Sequence, residues 1–471
     1  MLKLTTRTLL CAGVVTLTLG LTTTTQGDTE IERGEIPVLP EDMRGKIMKP
    51  TPPPVQLVGN QQVQQQVVAG AVAPEHVHVI HPDPVPVDPA PNPDAANAPL
   101  IQVAILLDTS NSMDGLIDQA KAQLWMIVNR FAKAQREGVD PNFQIALFQY
   151  GNTSLPAEEG YIQQVVSFTN DLDKVSAALF ALTTNGGDEY CGQVMDEALT
   201  RLPWSPNAND FKAIYIAGNE PFTQGNVHYV GVCKRARDKG VLVNTIHCGN
   251  HDQGVSGKWQ HGAHLAGGSF MTINQDRSLV TPAAPQDDAL AKLNTELNRT
   301  YLQYGARGSE LKEQQAELDE ANDKLSNDAG ANRALTKAGK YYSNTHWDLI
   351  DARDQKDFDL AKIPAEQLPE EMRKMSLKEK QAHIEKMAEQ RKAIQKKIQA
   401  LGAERAKFVA EARREAAEKE GETLGEAINK TIDEQLEAQG YEIKEEAEVK
   451  EEQKAEEAPA KDAAETAARA E

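Results

Sequence analysis

The sequence predicts an α/β fold, in which a doubly wound, mostly parallel six-stranded sheet lies within one globular domain at residues 100–280. The first observation is that short, uniformly apolar runs alternate with amphipathic helical stretches, which is typical of strands covered by helices on both faces. The second is a Gly/Asn/Pro-containing turn between two neighbouring runs, which predicts one antiparallel edge strand. The runs lie at 101–107, 143–150, 161–168, 211–218, 241–248 and 269–274.

The segment before this domain has the composition of a targeting signal followed by a linker. Residues 1–27 contain Lys3 and Arg7, an apolar stretch and then small residues, which is the order of a secretory signal peptide. An uncleaved membrane anchor is the alternative. Residues 28–99 hold 14 of the 24 prolines and predict an extended, disordered linker. We therefore expect an exported protein that is periplasmic, secreted or in the cell envelope, and not an integral membrane protein after cleavage.

Residues 286–440 predict a helical region without strands. In its longest stretch, 376–419, a seam of apolar residues recurs at alternating steps of three and four, interrupted by Arg391 and Arg405. This pattern predicts a helical hairpin or short coiled coil, formed within the chain or between copies as a homo-oligomer. A long solvated helix lying on the α/β domain is the other interpretation. Residues 441–471 are acidic, poor in apolar side chains and predicted to be disordered.

The charge and the motifs exclude several classes of function. The formal net charge of -20 argues against nucleic acid as a partner, because phosphates select basic surfaces. It suits a protein that binds cations or basic partners. The sequence shows no Ser/His/Asp triad, phosphate-binding glycine loop or His-Glu-x-x-His run. We therefore expect a protein that is not an enzyme.

Three oxygen-bearing side chains follow the first strand of the predicted sheet, in the order Asp108-Thr-Ser110-Asn-Ser112. In a doubly wound sheet, ligands bind at the carboxyl ends of the central strands. One carboxylate and two hydroxyls suit a hard divalent cation such as Mg²⁺, which prefers oxygen ligands. A single charged ligand would leave the cation electrophilic, so that a further Glu or Asp could complete its shell.

This motif, after an apolar strand and before an amphipathic helix, resembles the von Willebrand factor type A (VWA) domain. In that family a metal-ion-dependent adhesion site (MIDAS) begins with Asp-x-Ser-x-Ser after the first strand. The resemblance covers residues 100–280 and implies a Rossmann-like fold. It also implies a protein-binding function with Mg²⁺, or Ca²⁺ or Mn²⁺, as cofactor, and a protein ligand that binds through a Glu or Asp side chain.

Two further loops depart from the family pattern. Where the family has Thr after a Gly-Gly pair, this chain has Asp188, and where it has Thr-Asp-Gly, this chain has Gly218-Asn219-Glu220. The predicted metal ligands are Asp108, Ser110, Ser112, Asp188 and, in the outer shell, Asn219, with Glu189, Glu220 and Thr184 as additional candidates. A second interpretation is a metal-free loop held by Ser and Asp side chains that bond to the backbone. A third, in which Asp188 and Glu189 act as catalytic acid and base, is disfavoured because no nucleophile accompanies them.

The cysteines and histidines suggest two further features. In an oxidising compartment Cys191, Cys233 and Cys248 predict one disulfide and one thiol. The preferred pair is Cys191–Cys248, since both are expected at the carboxyl edge of the sheet; Cys233–Cys248 is the rival. Zinc is disfavoured, because the nearby histidines lack a recurring paired spacing. These histidines are His247, His251, His261 and His264.

Together these features predict an exported protein-binding module with a variant MIDAS, whose helical region serves oligomerisation or scaffolding. The alternative function is that of a metal-free structural assembly protein of the cell envelope, in which the coiled-coil region dominates. The two hypotheses differ in whether Asp108 and its neighbours bind a cation.

Overall fold

The computed structural model describes residues 98–273, 283–420 and 424–444. The predicted signal peptide lies outside the described residues, as do residues 28–97 of the predicted linker and residues 445–471 of the predicted tail. The described residues belong to one compact unit. None of the helices in these three ranges has the length and apolar character needed to cross a membrane.

A six-stranded sheet forms the centre of the molecule, in the order β4-β3-β1-β5-β6-β7. Neighbouring strands are parallel except β4, which pairs antiparallel with β3 at one edge. The predicted fold class and its antiparallel edge strand are thus confirmed. The strands are β1 Leu100–Asp108, β3 Asn142–Tyr150, β4 Ile162–Thr169, β5 Phe211–Gly218, β6 Leu242–Cys248 and β7 Phe270–Ile273; two short strands, β2 Ala134–Gln135 and β8 Glu442–Ile443, pair antiparallel elsewhere.

Twelve α-helices lie in the described ranges, together with short 3₁₀ turns. They are α1 Asp114–Phe131, α2 Leu172–Ala181, α3 Cys191–Arg201, α4 Tyr229–Asp238, α5 His251–Ser256, α6 Trp259–Leu265, α7 Asp287–Asn298, α8 Gly308–Leu325, α9 Asn327–Lys337, α10 Leu349–Ala352, α11 Leu377–Glu420 and α12 Leu424–Ala438. The predicted helical region after the sheet therefore consists of α7 to α12.

Each sheet face is buried by a different part of the chain, which explains why the central strands are apolar at every position. Ala104 and Leu106 of β1 pack with α3, α4 and α6. We call this side the local face, because its helices connect consecutive strands. Val103 and Ile105 point to the other side, where α1 and α2 are joined by helices from the end of the chain. We call this side the remote face.

Helix α12 completes the remote face. Its residues Ile428, Ile432 and Leu436 are buried in the same apolar core as β1. Gln435 and Asn244 of β6 form two side-chain hydrogen bonds, at 2.6 and 3.0 Å. The pairing of β8 with β2 anchors the chain beyond this helix. Residues near 440 are thus part of the same core as residues near 100.

Helix α11 packs along α7, α9 and α10 of its own chain. Ile384 and Ile398 of the predicted seam are buried there, as are the two arginines that interrupt it. Arg391 donates to Asp348 at 2.7 Å, and its guanidinium lies 3.9 Å from the centre of the Tyr301 ring. Arg405 forms equivalent ion pairs with two other aspartates, Asp287 and Asp328. The arginines therefore link α11 to acidic groups within the chain.

A cluster of buried charges joins α9 to the sheet domain. Arg333 is fully buried and donates to Asp173 of α2 at 2.8 Å. It also donates to Asp319 of α8, to which Lys337 donates at 2.7 Å. The Arg333 guanidinium lies 4.8 Å from the Trp125 ring centre on α1. We call these groups the Arg333 cluster; they connect the helical region to two helices of the remote face.

Candidate cation site at the carboxyl edge of the sheet

The first loop of the site begins where β1 ends. The carboxylate of Asp108 accepts a hydrogen bond from the backbone N–H of Ser110 at 2.8 Å, through its Oδ1 atom. The chain then enters a single 3₁₀ turn, Asn111–Met113, and continues into α1. Ser110 is buried, whereas the side chain of Ser112, which lies in the turn, is outside the described part of the structure. The loop therefore turns Asp108 and Ser110 toward the interior of the edge.

The third loop approaches Asp108 through its backbone. The N–H of Asn219 donates a hydrogen bond to the Asp108 carboxylate. A Cβ atom at Gly218 would lie 2.5 Å from the hydroxyl of Tyr150 and 3.1 Å from Asp108 Oδ2. Glycine is therefore required at position 218 for this close approach. Asn219, a predicted ligand, lies beside Asp108 as expected for neighbouring parallel strands.

The second loop brings Glu189, and not Asp188, against Asp108. The Asp188 side chain is exposed and accepts a hydrogen bond from the Tyr190 hydroxyl at 3.1 Å. Glu189 is 5% exposed, and its side chain interacts directly with those of Asp108 and Ser110. The sequence interpretation placed Asp188 in the ligand set and Glu189 among the additional candidates. In the structure, Glu189 lies against Asp108, whereas Asp188 is exposed.

Three residues that the sequence analysis missed support this arrangement. Gly151 has φ +78°, and a Cβ there would lie 2.8 Å from Glu189 Cγ and 2.9 Å from Asp108 Oδ1. Asn152 donates to the backbone oxygen of Thr183 at 2.9 Å, which ties the second loop to the end of β3. Gln224 accepts the Glu189 backbone N–H at 2.7 Å. The position of Gly151-Asn152 at a strand end was a usable signal, whereas nothing in the sequence marked Gln224.

The two remaining candidates occupy the rim. Thr184 donates its hydroxyl proton to Asp114, the first residue of α1. Glu220 contributes negative potential that raises the pKa of Glu189, and its backbone oxygen accepts the Trp259 indole N–H at 2.9 Å. Both residues thus lie close to the site, and each is engaged with a group other than Asp108.

Burial shapes the electrostatics of the paired carboxyl groups. It raises the pKa of Asp108 to about 6 and, together with the negative charge of Asp108, raises the pKa of Glu189 to about 9. Asp108 Oδ2 and Glu189 Oε2 are buried and accept no hydrogen bond from any described residue. Buried carboxylate oxygens need a proton or a cation to offset the loss of water.

The donor set fits a hard divalent cation. Two carboxylates and the Ser110 hydroxyl offer oxygen atoms only, which is the chemistry that Mg²⁺, Mn²⁺ and Ca²⁺ select. Among the described residues, no three side chains of the His, Cys, Asp and Glu types are grouped in a way that could hold a metal. A cation here would therefore depend on the hydroxyl and on backbone or water oxygens in addition to the two acids.

The predicted disulfide is absent. Cys191, Cys233 and Cys248 are all buried free thiols, so the preferred Cys191–Cys248 pairing is wrong for this structure, as is its rival. Cys191 lies 3.7 Å from the Tyr150 hydroxyl instead. Both residues of the preferred pair are nevertheless near the carboxyl edge, where Asp108 and Glu189 raise their thiol pKa values, after burial as the main cause.

The histidines beside the site take separate positions. His247 is buried at the end of β6, with its ring centre 5.7 Å from that of Trp259. His261 is hydrogen-bonded to the Tyr229 hydroxyl at 2.8 Å, and His251 lies against the Phe270 ring. These neighbours come from different elements, and both ring nitrogens of His247 are buried without a hydrogen-bond partner among the described residues.

Comparison with known proteins agrees with the fold of this part of the chain. Residues 102–255 match the von Willebrand factor type A domain. This part of the chain is a VWA domain. VWA domains are protein-interaction modules that often bind a divalent metal at a MIDAS. No curated protein matches the chain.

Solved structures similar to the VWA domain share little sequence with it. The conserved hypothetical protein BatB from Bacteroides thetaiotaomicron is 16% identical, with a TM-score of 0.28, over 37% of this chain and 90% of that one. The SpRpn10 VWA domain is 19% identical, with a TM-score of 0.29, over 41% and 95%. Proximal thread matrix protein 1 from the mussel byssus, with a zinc-occupied MIDAS, is 17% identical, with a TM-score of 0.30, over 38% and 43%.

Proposed function

We propose that this chain is an exported, non-enzymatic protein-binding module whose VWA domain holds a divalent cation at a variant MIDAS. The observation that carries the proposal is the pair of buried carboxylate oxygens, Asp108 Oδ2 and Glu189 Oε2, that accept no hydrogen bond from the described residues. A divalent cation would offset both charges at once. The cation is Mg²⁺, or Ca²⁺ or Mn²⁺, because the available donors are all oxygen.

The residues that would hold the cation lie on the loops that follow β1 and β5 and on the loop that precedes α3. Asp108 and Ser110 supply a carboxylate and a hydroxyl, and the predicted ligands Ser112 and Asn219 lie on the first and third loops. When bound, the cation supplies positive charge to an edge that is otherwise acidic. The chain's own groups hold the loops in place: the N–H groups of Ser110 and Asn219 orient the Asp108 carboxylate. The partner would dock on this edge of the VWA domain.

Calorimetric titration of residues 28–471 with Mg²⁺ and with Mn²⁺ tests the cation. We expect one saturable site in the wild type that is lost in Asp108→Ala. Asp118→Ala is the matched control, because it removes an acid from the exposed surface of α1 and should leave the titration unchanged. An absent site, or a site that survives in Asp108→Ala, would contradict the proposal. N-terminal sequencing of the protein from fractionated cells tests export, since cleavage is expected near Gly27.

Partner binding can be tested with the same variants. Pull-down from an envelope fraction should recover a protein with the wild type, and lose it when a chelator is added or when Asp108 is replaced by Ala. If the partner is still recovered after both changes, it binds at a surface other than the cation site.

One observation favours the second candidate, a metal-free structural assembly protein. Asp108 and Glu189 interact directly, and a single shared proton would satisfy this contact without a metal. Since Ile384 and Ile398 of the α11 seam are covered by helices of the same chain, assembly would use other surfaces of the helical region. Sedimentation equilibrium separates the two: a homo-oligomer that is insensitive to chelator, combined with no cation binding, supports the second candidate.

A further inference from the structure

Two adjacent acids of the second loop lie in opposite environments. The Asp188 side chain is exposed and bonded to the hydroxyl of Tyr190. The Glu189 side chain is 5% exposed, and its Oε2 atom accepts no hydrogen bond from any residue that the structure describes. The Glu189 carboxyl group contacts that of Asp108, and two buried acids in contact need a shared proton or a bound cation to offset their charge.

The surrounding structure positions Glu189 for this role. Its backbone N–H is held by Gln224 at 2.7 Å, and its carbonyl oxygen accepts the N–H of Cys191, the first residue of α3, at 3.2 Å. The missing Cβ of Gly151 leaves space for Glu189 Cγ, which would lie only 2.8 Å from such an atom. The same point is 2.9 Å from Asp108 Oδ1. Glu189 and Asp108 therefore converge on one small volume.

From this geometry we infer that Glu189 is the second anionic ligand of the cation site, that Asp188 takes no part, and that the chain itself neutralises the bound cation. Two carboxylates balance a divalent charge, so the cation keeps little attraction for a third carboxylate. Partner recognition at this edge then uses neutral oxygen donors, such as hydroxyl and amide groups. This inference rests on the proposed function, and it replaces the acidic ligand that the family resemblance implied.

Matched replacements of the two neighbouring acids test the ligand assignment. Glu189→Gln and Asp188→Asn each replace one carboxyl group by an amide of nearly the same shape, so each variant removes one possible anionic ligand with little change in packing. We expect Glu189→Gln to weaken Mn²⁺ affinity at least tenfold in calorimetry, and Asp188→Asn to change it less than twofold. Equal losses, or a larger loss in Asp188→Asn, would overturn the assignment. Thermal melts verify that both variants are folded. Glu189→Asp provides a second comparison, because it keeps the carboxyl group but moves it back toward the backbone by one methylene.

Acetate serves as a probe of the neutralised cation. In the Mn²⁺-loaded wild type, the relaxation of the acetate methyl protons should show no saturable enhancement. Glu189→Ala, at Mn²⁺ concentrations that saturate it, should show one, because a coordination position and a positive charge become available. Saturable acetate binding to the wild type would overturn the inference.

The outcomes separate this inference from the proposed function. If Asp108→Ala abolishes Mn²⁺ binding while Glu189→Gln leaves it unchanged, the cation site stands and the role of Glu189 is rejected. If the wild type binds neither Mg²⁺ nor Mn²⁺, both are rejected.

Discussion

The two faces of the central sheet are equally buried but are covered in different ways. On the local face, α3, α4 and α6 each lie close in sequence to the strands they cover, and the apolar core there is accompanied by polar contacts such as that of the Thr245 hydroxyl with the Trp259 carbonyl oxygen. On the remote face, α12 packs near α1 and β7 although it lies more than 150 residues beyond β7. Buried polar pairs accompany the apolar contacts there, including Gln435 with Asn244 and the Arg333 cluster. Long-range closure therefore coincides with directional interactions.

This difference has a physical reason. An apolar surface accepts many partners, because hydrophobic attraction has no direction. A helix that arrives from a distant part of the chain must be distinguished from the other amphipathic helices that could cover the same surface. The paired amides and buried ion pairs are satisfied in one register only, and any other arrangement would leave them without partners at a cost of about 1–3 kcal/mol for each group.

Removing residues 421–471 should break the remote face and has the largest expected effect. The truncation deletes four side chains that are at most 2% exposed, namely Ile428, Ile432, Leu436 and Tyr441. Burial of such side chains contributes about 1.5–3 kcal/mol each, so the loss of about 6 kcal/mol or more approaches the total stability of a domain. Urea unfolding measures it. The matched control ends at residue 444, retains α12 and β8, and should unfold like the full chain.

Replacing Arg333 by Met has the next largest expected effect. The substitution leaves the Asp173 carboxylate without its buried cationic partner. It also removes one of the two cationic side chains that pair with Asp319. Breaking a buried ion pair from one side costs about 3–5 kcal/mol. The free energy of unfolding in urea should fall by this amount. Arg307→Met is the control, because its ion pair with Glu310 is exposed and such pairs contribute about 0–1 kcal/mol. Equal losses of unfolding free energy in both variants would contradict the expected difference between buried and exposed ion pairs.

The pH dependence of the unfolding free energy tests the Arg333 cluster through a smaller expected effect. Burial alone would raise the pKa of Asp319, but Lys337 and Arg333 lower it from its ordinary 3.8 to about 2. Because the pKa is lower in the folded protein, the stabilisation is complete above about pH 4 and is lost as the pH falls toward 2. The expected contribution is about 2 kcal/mol. Urea unfolding across this range measures it, and Asp319→Asn should lose this part of the slope; an unchanged slope would contradict the assignment.

The sequence predicted the local face well because the relevant signals are local. Each strand is a short apolar run, and each crossover helix follows with its own amphipathic pattern. The remote face was less accessible, since no periodicity states which distant surface a helix will cover. The seam of α11 was visible, but only the structure shows that Arg391 and Arg405 interrupt it in order to meet acids of the same chain.

The candidate site shows the same limit at a smaller scale. Asp108 and Ser110 were predictable because a strand and a helix fix the loop between them. In the second loop, Asp188 and Glu189 are neighbours of similar chemistry, but only Glu189 is buried. Its backbone N–H donates to Gln224, and the missing Cβ of Gly151 leaves room for its side chain; both residues come from other parts of the chain. Residue type therefore indicated the candidate loops, while tertiary contacts determine which of the two acids is buried beside Asp108.

The position of α12 also has a consequence for the order of events during synthesis. A ribosome releases the chain from the N-terminus, so all six strands leave the exit tunnel long before Leu436 exists. Until α12 is made, Asn244 lacks its hydrogen bonds to Gln435 and the apolar surface beside it stays uncovered, so the sheet cannot reach its final stability. The remote face is thus completed only after residues up to about 440 have been translated.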